Sequence, residues 1–132
     1  MSGETQLSVL LGTMNPERHA GEYVFVSSGG KELPPGIAPV ATVAEDEGLT
    51  LVLLREDADR IGLRYDYVAA RITLRVHSSL AAVGLTAAVS QVLADAGISC
   101  NVIAGFYHDH LFVPYENAAL AVELLESLAA RS

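Results

Sequence analysis

The 132-residue chain has few of the residues on which several classes of protein depend. It contains one cysteine, Cys100, so we expect no internal disulfide, and the cytoplasm is the simplest compartment for it. It contains one lysine, Lys31, and 16 acidic residues against 8 basic ones, which gives a net charge of −8. Because such a chain repels phosphate backbones and anionic lipids, the sequence predicts no nucleic acid and no membrane surface as a partner.

Long apolar runs are also missing. No stretch approaches the roughly 20 residues of a membrane span. The N-terminal segment "MSGETQLSVLLGTM" has no basic leader before its short apolar stretch, so we expect no secretory signal. Apolar residues nevertheless make up 51% of the chain, which is enough for a folded core. The length suits one domain or two very small halves that share a core.

The first half of the chain reads as short elements separated by turns. Pro16 is placed in a polar loop, and the paired glycines and prolines of 29–36 mark a second loop. The predicted elements are, in order, a helix over 5–14, strands over 21–28, 38–45 and 48–55, and a short helix over 56–62.

The second half is more regular. The apolar residues Ile72, Leu74 and Val76 alternate with polar residues, as in a half-buried strand. The predicted elements are a strand over 70–78, a helix over 83–97, strands over 98–106 and 110–115, and a helix over 117–131. This order, β-α-β-β-α, lacks the last strand of a split β-α-β-β-α-β unit. We therefore predict an α+β fold of two ferredoxin-like units, assigned to 1–68 and 69–132, with strands shared between the halves.

The stretch "HSSLAAVGLTAAV" (77–89) joins a predicted strand to a predicted helix. A helix N-terminus exposes unpaired N–H groups and the positive end of the helix dipole, so it can hold a carboxylate without a lysine. Ser78, Ser79 and Gly84 would keep the approach narrow and polar. The alternative is that one of the two serines simply caps the helix.

The segment "RVHSSLAAVGLTAAVSQVLADAGISCNVIAGFYHDHLFVP" resembles the ACT domain in the kind and order of its elements. The step "AGISCNVI" after the helix is similar to the one in ACT units of aspartate kinases. The whole chain resembles small stand-alone bacterial proteins with tandem ACT-like units. Its pattern is also similar to that of the tandem ACT modules of eukaryotic arginine sensors. This resemblance implies two ACT-type units and a regulatory role without catalysis.

The resemblance also implies a ligand and a place for it. ACT units bind amino acids at the interface between two units, through the first strand–helix loop and the start of the second strand. The implied ligand-binding residues are Ser78, Ser79, Leu80, Ala81, Ala82, Val83, Gly84 and Leu85 in the loop, with Asn101, Val102 and Ile103 in the strand. The expected partners are a small-molecule amino acid and either a second copy of the chain or another protein. The alternative function is a structural or protein-interaction domain of ACT shape without a ligand.

Other polar residues carry weaker signals. Asn101 interrupts an apolar strand, where a buried amide would hold either a ligand's amino group or a neighbouring backbone. His108 and His110 flank Asp109, but zinc normally needs three or four ligands, so we expect a polar hairpin tip rather than a metal. The sequence predicts no cofactor, because the glycines before Lys31 lack the spacing of a phosphate loop, and no catalytic residues.

Overall fold

The computed structural model of the chain describes residues 6–76 and 83–132. Within these residues it has four α-helices and seven β-strands. The helices are α1 (Leu7–Gly12), α2 (Arg55–Arg60), α3 (Leu85–Asp95) and α4 (Ala118–Ala130), and a 3-10 turn, Tyr115–Asn117, leads into α4. The strands are β1 (Pro16–Arg18), β2 (Tyr23–Ser27), β3 (Ala41–Glu45), β4 (Gly48–Leu54), β5 (Val68–Leu74), β6 (Asn101–Ala104) and β7 (Asp109–Pro114). No helix in this part of the chain is long and apolar enough to cross a membrane.

The chain forms two compact units, and one of them is assembled from two segments. We call Gly21–Ala69 the continuous unit, and Met1–Ala20 with Ala70–Ser132 the split unit. Strand β5 belongs to both, since its first two residues lie in the continuous unit and the rest in the split unit.

The continuous unit has the strand order β3-β4-β2-β5. In chain order, its third strand lies between the first and the second, which is the arrangement of a split β-α-β-β-α-β unit. Val24 pairs with Leu53 and Val26 with Leu51, so these four side chains share one face of the sheet. They form a small core with Ala58 of α2. A loop over 28–40 takes the place of the first helix of such a unit.

The split unit has the strand order β1-β5-β7-β6. Strands β5, β6 and β7 are again first, second and third, and β1 occupies the place of the missing fourth strand. It pairs antiparallel with β5, with Pro16 opposite Leu74 and Arg18 opposite Ile72. The prediction of ferredoxin-like ACT-type units that share strands is thus confirmed.

Helices α1, α3 and α4 cover one face of the split unit. Their buried residues pack on the apolar face of β5 and β7 in one cluster that includes Leu10, Met14, Leu93, Leu125 and Val113. Residues 10–14 therefore contribute side chains to the core that 70–132 form. The predicted boundary between 68 and 69 stays a prediction.

Two details of the sequence analysis are wrong. Pro16 is not in a loop but begins β1, which a proline tolerates as the first residue of a strand. Thr73 lies between the apolar residues Ile72 and Leu74, so the predicted alternation places it on the polar side of the strand, yet its side chain is completely buried. The reason is a polar cluster on the sheet face opposite the helices, described below.

Candidate functional site

The first part of the predicted ligand site is the start of α3. The predictions for Ser78, Ser79, Leu80, Ala81 and Ala82 fall outside the described residues.

The structure describes the rest of the predicted loop site, Val83, Gly84 and Leu85. The side chain of Val83 is 85% exposed, whereas that of Leu85 is buried in the core, so Leu85 offers a ligand only its backbone.

Gly84 occupies the N-cap position of α3 with φ of 102° and ψ of −23°. Only glycine adopts this backbone conformation without strain. The alternative that Ser78 or Ser79 caps this helix falls on residues outside the described part of the chain, whereas the N-cap residue itself, Gly84, has no side chain that could bond to the first turn. The first hydrogen bond of the helix runs from Ala88 N–H to the carbonyl of Gly84. The N–H groups of the first turn, before Ala88, therefore have no partner within the helix. Such groups together with the helix dipole favour an anion.

The second part of the predicted site is the beginning of β6. Asn101 was expected to be buried, but its side chain is exposed, because β6 lies at the edge of the split unit and pairs only with β7 among the described strands. Val102 packs against the helix-covered core. Ile103 lies opposite His110 on the other face. Of these three residues, Asn101 is the one whose polar group is open to a ligand.

Within one copy of the chain, the two parts of the predicted site lie far apart. Gly84 precedes α3 and Asn101 follows it, and eleven helical residues span about 16 Å. The turn at the other end of β6 lies near the end of β5, since His108 Nδ1 is 3.4 Å from the carbonyl oxygen of Val76. Asn101 is therefore at the opposite end of β6 from the loop that begins after Val76.

A polar cluster with the buried Thr73 at its centre occupies the sheet face of the split unit that the helices leave uncovered. His19 Nε2 lies 2.6 Å from Thr73 Oγ1, and Thr73 Oγ1 lies 2.9 Å from His110 Nδ1. Arg71 Nη2 is 3.3 Å from the same nitrogen of His110. The cluster links the end of β1 to β5 and β7. The sequence analysis assigned no role to His19 or Thr73, because only the pairing of β1 with β5 brings them together.

The arginine sets the direction of these hydrogen bonds. A guanidinium can only donate, so His110 Nδ1 accepts and its ring proton is on Nε2. Thr73 then donates to His110 and accepts from His19. Burial, reinforced by the charge of Arg71, lowers the pKa of His110 from its usual 6.5 to about 4. Burial also lowers the pKa of His19.

We expect the free energy of unfolding to fall as the pH is lowered from about 6.5 towards 4. A lowered pKa means that the folded state favours the neutral ring, so this stabilisation is present above the unfolded pKa and is lost as the pH falls towards the folded one. Urea unfolding of the protein and of His110→Asn measures this pH dependence of the free energy of unfolding. The amide oxygen of the asparagine replaces Nδ1 as an acceptor but does not titrate. The variant should show a flatter profile between pH 6.5 and 5; identical slopes would contradict this assignment.

The remaining candidates do not assemble into a reactive centre. Across residues 6–76 and 83–132, no three His, Cys, Asp or Glu side chains are grouped to hold a metal ion, and the expectation that no metal binds stays a prediction. Burial raises the pKa of Cys100 to about 11, which keeps it a thiol at neutral pH and fits a packing role. The hairpin tip is less polar than expected, because Phe106 and Tyr107 are exposed there and their rings meet edge to face at 5.0 Å.

Comparison with known proteins gives two family matches. One ACT domain model matches residues 2–70, and a second matches residues 70–127. No curated protein sequence matches the chain significantly.

Solved structures share the fold over most of the chain. A Vibrio cholerae protein of unknown function, described as a possible transport protein, is 49% identical, with a TM-score of 0.83 and coverage of 93% of this chain and 95% of that one. A protein from Agrobacterium tumefaciens is 21% identical (TM-score 0.65, coverage 86% and 87%). The ligand-free regulatory subunit of aspartate kinase from Thermus thermophilus is 12% identical (TM-score 0.64, coverage 88% and 97%). The last two show likeness of fold alone.

Proposed function

Because this chain belongs to the ACT domain family, whose members are generally ligand-binding regulatory modules, we propose that it senses an amino acid and has no catalytic activity of its own. The observation that carries this proposal is the N-terminus of α3, whose N-cap residue Gly84 has no side chain and lies next to the exposed side chain of Val83. The single cysteine supports a cytoplasmic location, which is part of the proposal.

The start of α3 supplies a carboxylate site that needs no cationic side chain. An α-helix of eleven residues has a dipole and several unpaired N–H groups at its first turn. Gly84 adds no side chain that would block the approach to them. We assign the ligand's carboxylate to the backbone from Leu80 to Leu85, with a hydroxyl of Ser78 or Ser79 as a further donor.

The amino end of the ligand is assigned to Asn101 of a second copy. Asn101 lies at the opposite end of the sheet from Gly84 within one copy, and it is exposed on the unit's edge strand. If two β6 edges pair antiparallel, the start of one β6 lies beside the end of the other. This pairing brings Asn101 of each copy towards the start of α3 in the second copy. The proposed site thus requires a homodimer.

Dimer formation through β6 has its own test. We expect sedimentation velocity to show a monomer–dimer equilibrium that Ala104→Lys shifts to the monomer by about tenfold or more in dissociation constant, because a lysine on an edge strand opposes strand pairing. Ala119→Lys is the matched control, since Ala119 is also exposed but lies on α4. A wild-type chain that stays monomeric at every concentration would remove the two-copy site, and equal effects of the two lysines would remove β6 as the interface.

A further inference from the structure

The continuous unit contains a cavity that the site around Gly84 does not involve. The pairing of β2 with β5 covers only Tyr23 and Val24, whereas β2 continues to Ser27 with β4 on its other side. Beyond Val24 this edge of β2 has no strand partner among the described residues, and the segment that leads into β5 diverges from it. A cavity of about 430 Å³ lies between them.

The walls of this cavity combine three kinds of surface. They consist of two aromatic rings, two hydroxyl groups and two opposite charges, contributed by Phe25 and Tyr65, Ser27 and Thr50, and Arg64 and Asp66. The Thr50 hydroxyl donates to the carboxylate of Glu45, so it has a lone pair left to accept a further bond. The Ser27 hydroxyl accepts weakly, at 3.4 Å, from Gly29 N–H and is available to donate.

The two charged side chains of the cavity, Arg64 and Asp66, are exposed. Within residues 6–76 and 83–132, neither Arg64 nor Asp66 forms a hydrogen bond or an ion pair, although they are only two positions apart. The other arginines of the same unit are engaged: Arg55 pairs with Glu22 and Arg60 with Asp57. The ring of Tyr65 is itself held in place, because its hydroxyl accepts from Arg55 at 2.8 Å and donates to Asp59 at 2.7 Å.

We propose that this cavity binds a free amino acid with a large apolar side chain. The zwitterion of an amino acid carries its ammonium and its carboxylate group on the same carbon atom, which matches a cation and an anion two residues apart. The guanidinium of Arg64 binds the carboxylate, and the carboxylate of Asp66 binds the ammonium group. The side chain of the ligand lies against Phe25 and Tyr65. The volume suits this class, since small-molecule sites start at about 300 Å³.

This second site goes beyond the function proposed above and shares no residue with it. The two sites also differ in what supplies the charge. The first uses backbone N–H groups and a partner's amide, whereas the second uses a pair of ionised side chains. Variants of Arg64 and Asp66 therefore test the second site without altering the first.

Calorimetry tests the proposal when each charge is removed in turn from the ligand and from the protein. The probes are L-phenylalanine, phenethylamine, which lacks the carboxylate, and 3-phenylpropionate, which lacks the ammonium group. We expect L-phenylalanine to bind, and Arg64→Gln and Asp66→Asn each to weaken it by about tenfold, the cost of one charge-assisted contact. Arg64→Gln should leave the affinity for phenethylamine unchanged, and Asp66→Asn should leave that for 3-phenylpropionate unchanged.

Arg60→Gln is the matched control, because Arg60 is an exposed arginine of the same unit that does not line the cavity. It should leave all three affinities unchanged. The proposal is overturned if L-phenylalanine does not bind, or if it binds with an affinity that neither Arg64→Gln nor Asp66→Asn alters. Equal weakening of both single-charge probes by either variant would also overturn the assigned orientation.

Discussion

Leu10→Ala is expected to lower the free energy of unfolding by about 2–5 kcal/mol, although Leu10 is distant in sequence from the segment 70–132 that forms most of its core. The side chain of Leu10 is completely buried. It belongs to the cluster formed with α3, α4, β5 and β7. Removing three carbon atoms there leaves a cavity among helices that the backbone cannot close. Urea unfolding followed by circular dichroism measures the effect.

Val9→Ala is the matched control for this change. Val9 is in the same short helix, but its side chain is 40% exposed, so its truncation should change stability by only about 0.5 kcal/mol. Hydrogen exchange adds a second readout: Leu10→Ala should reduce the protection of amides in β7. Equal stability of the two variants would mean that α1 does not belong to the core of the split unit.

Gly84→Val is expected to abolish binding at the start of α3 and to lower the free energy of unfolding by about 2 kcal/mol. The backbone at Gly84 has φ of 102°, which a β-branched residue adopts only with strain. A Cβ atom there would also lie 3.2 Å from the Cδ2 atom of Leu7, so that side chain must move. The new methyl groups would stand at the mouth of the proposed carboxylate site.

Gly97→Val separates the loss of binding from the loss of stability. Gly97 lies past the other end of α3 with φ of 75°, and a Cβ atom there meets nothing within 4 Å. We expect a similar loss of stability from the backbone strain and unchanged ligand affinity, measured below the unfolding temperature of both variants. If Gly97→Val weakens binding as much as Gly84→Val does, the loss reflects unfolding and the start of α3 is not the site. Ser79→Ala should weaken binding by about 1 kcal/mol, the net value of one hydrogen bond.

The fold follows from the sequence where a periodic pattern reports burial directly. Strand β4 and helices α3 and α4 were predicted within a few residues, because their apolar residues recur with the period of their own element. The absence of a fourth strand after α4 was also informative, since it implied that the first half supplies one. What the pattern could not identify was β1, which is three residues long, begins with a proline and has no buried side chain of its own.

The candidate site was less predictable because it depends on contacts between distant segments. Gly84, which the sequence analysis named as part of the loop, is the N-cap residue of α3, a role that its sequence context does not indicate. The exposure of Asn101 follows from the position of β6 at an edge, which no local pattern reveals. Thr73 can be buried because its hydroxyl bonds to two histidines, one directly after β1 and one in β7. From sequence alone, a strand with a polar residue at every second position is predicted to have one exposed face, because the partners of those residues are not known.

Calorimetric titration of an Arg64→Gln, Asp66→Asn double variant, in which the second proposed site is disabled, with each standard L-amino acid tests the central claim most directly, namely that this ACT protein senses an amino acid through α3 and Asn101. The account predicts saturable binding of at least one of them, weakened by Asn101→Ala and accompanied by a shift of the sedimenting species towards the dimer. Retained affinity in both Asn101→Ala and Gly84→Val, or no binding of any of these amino acids, would contradict it.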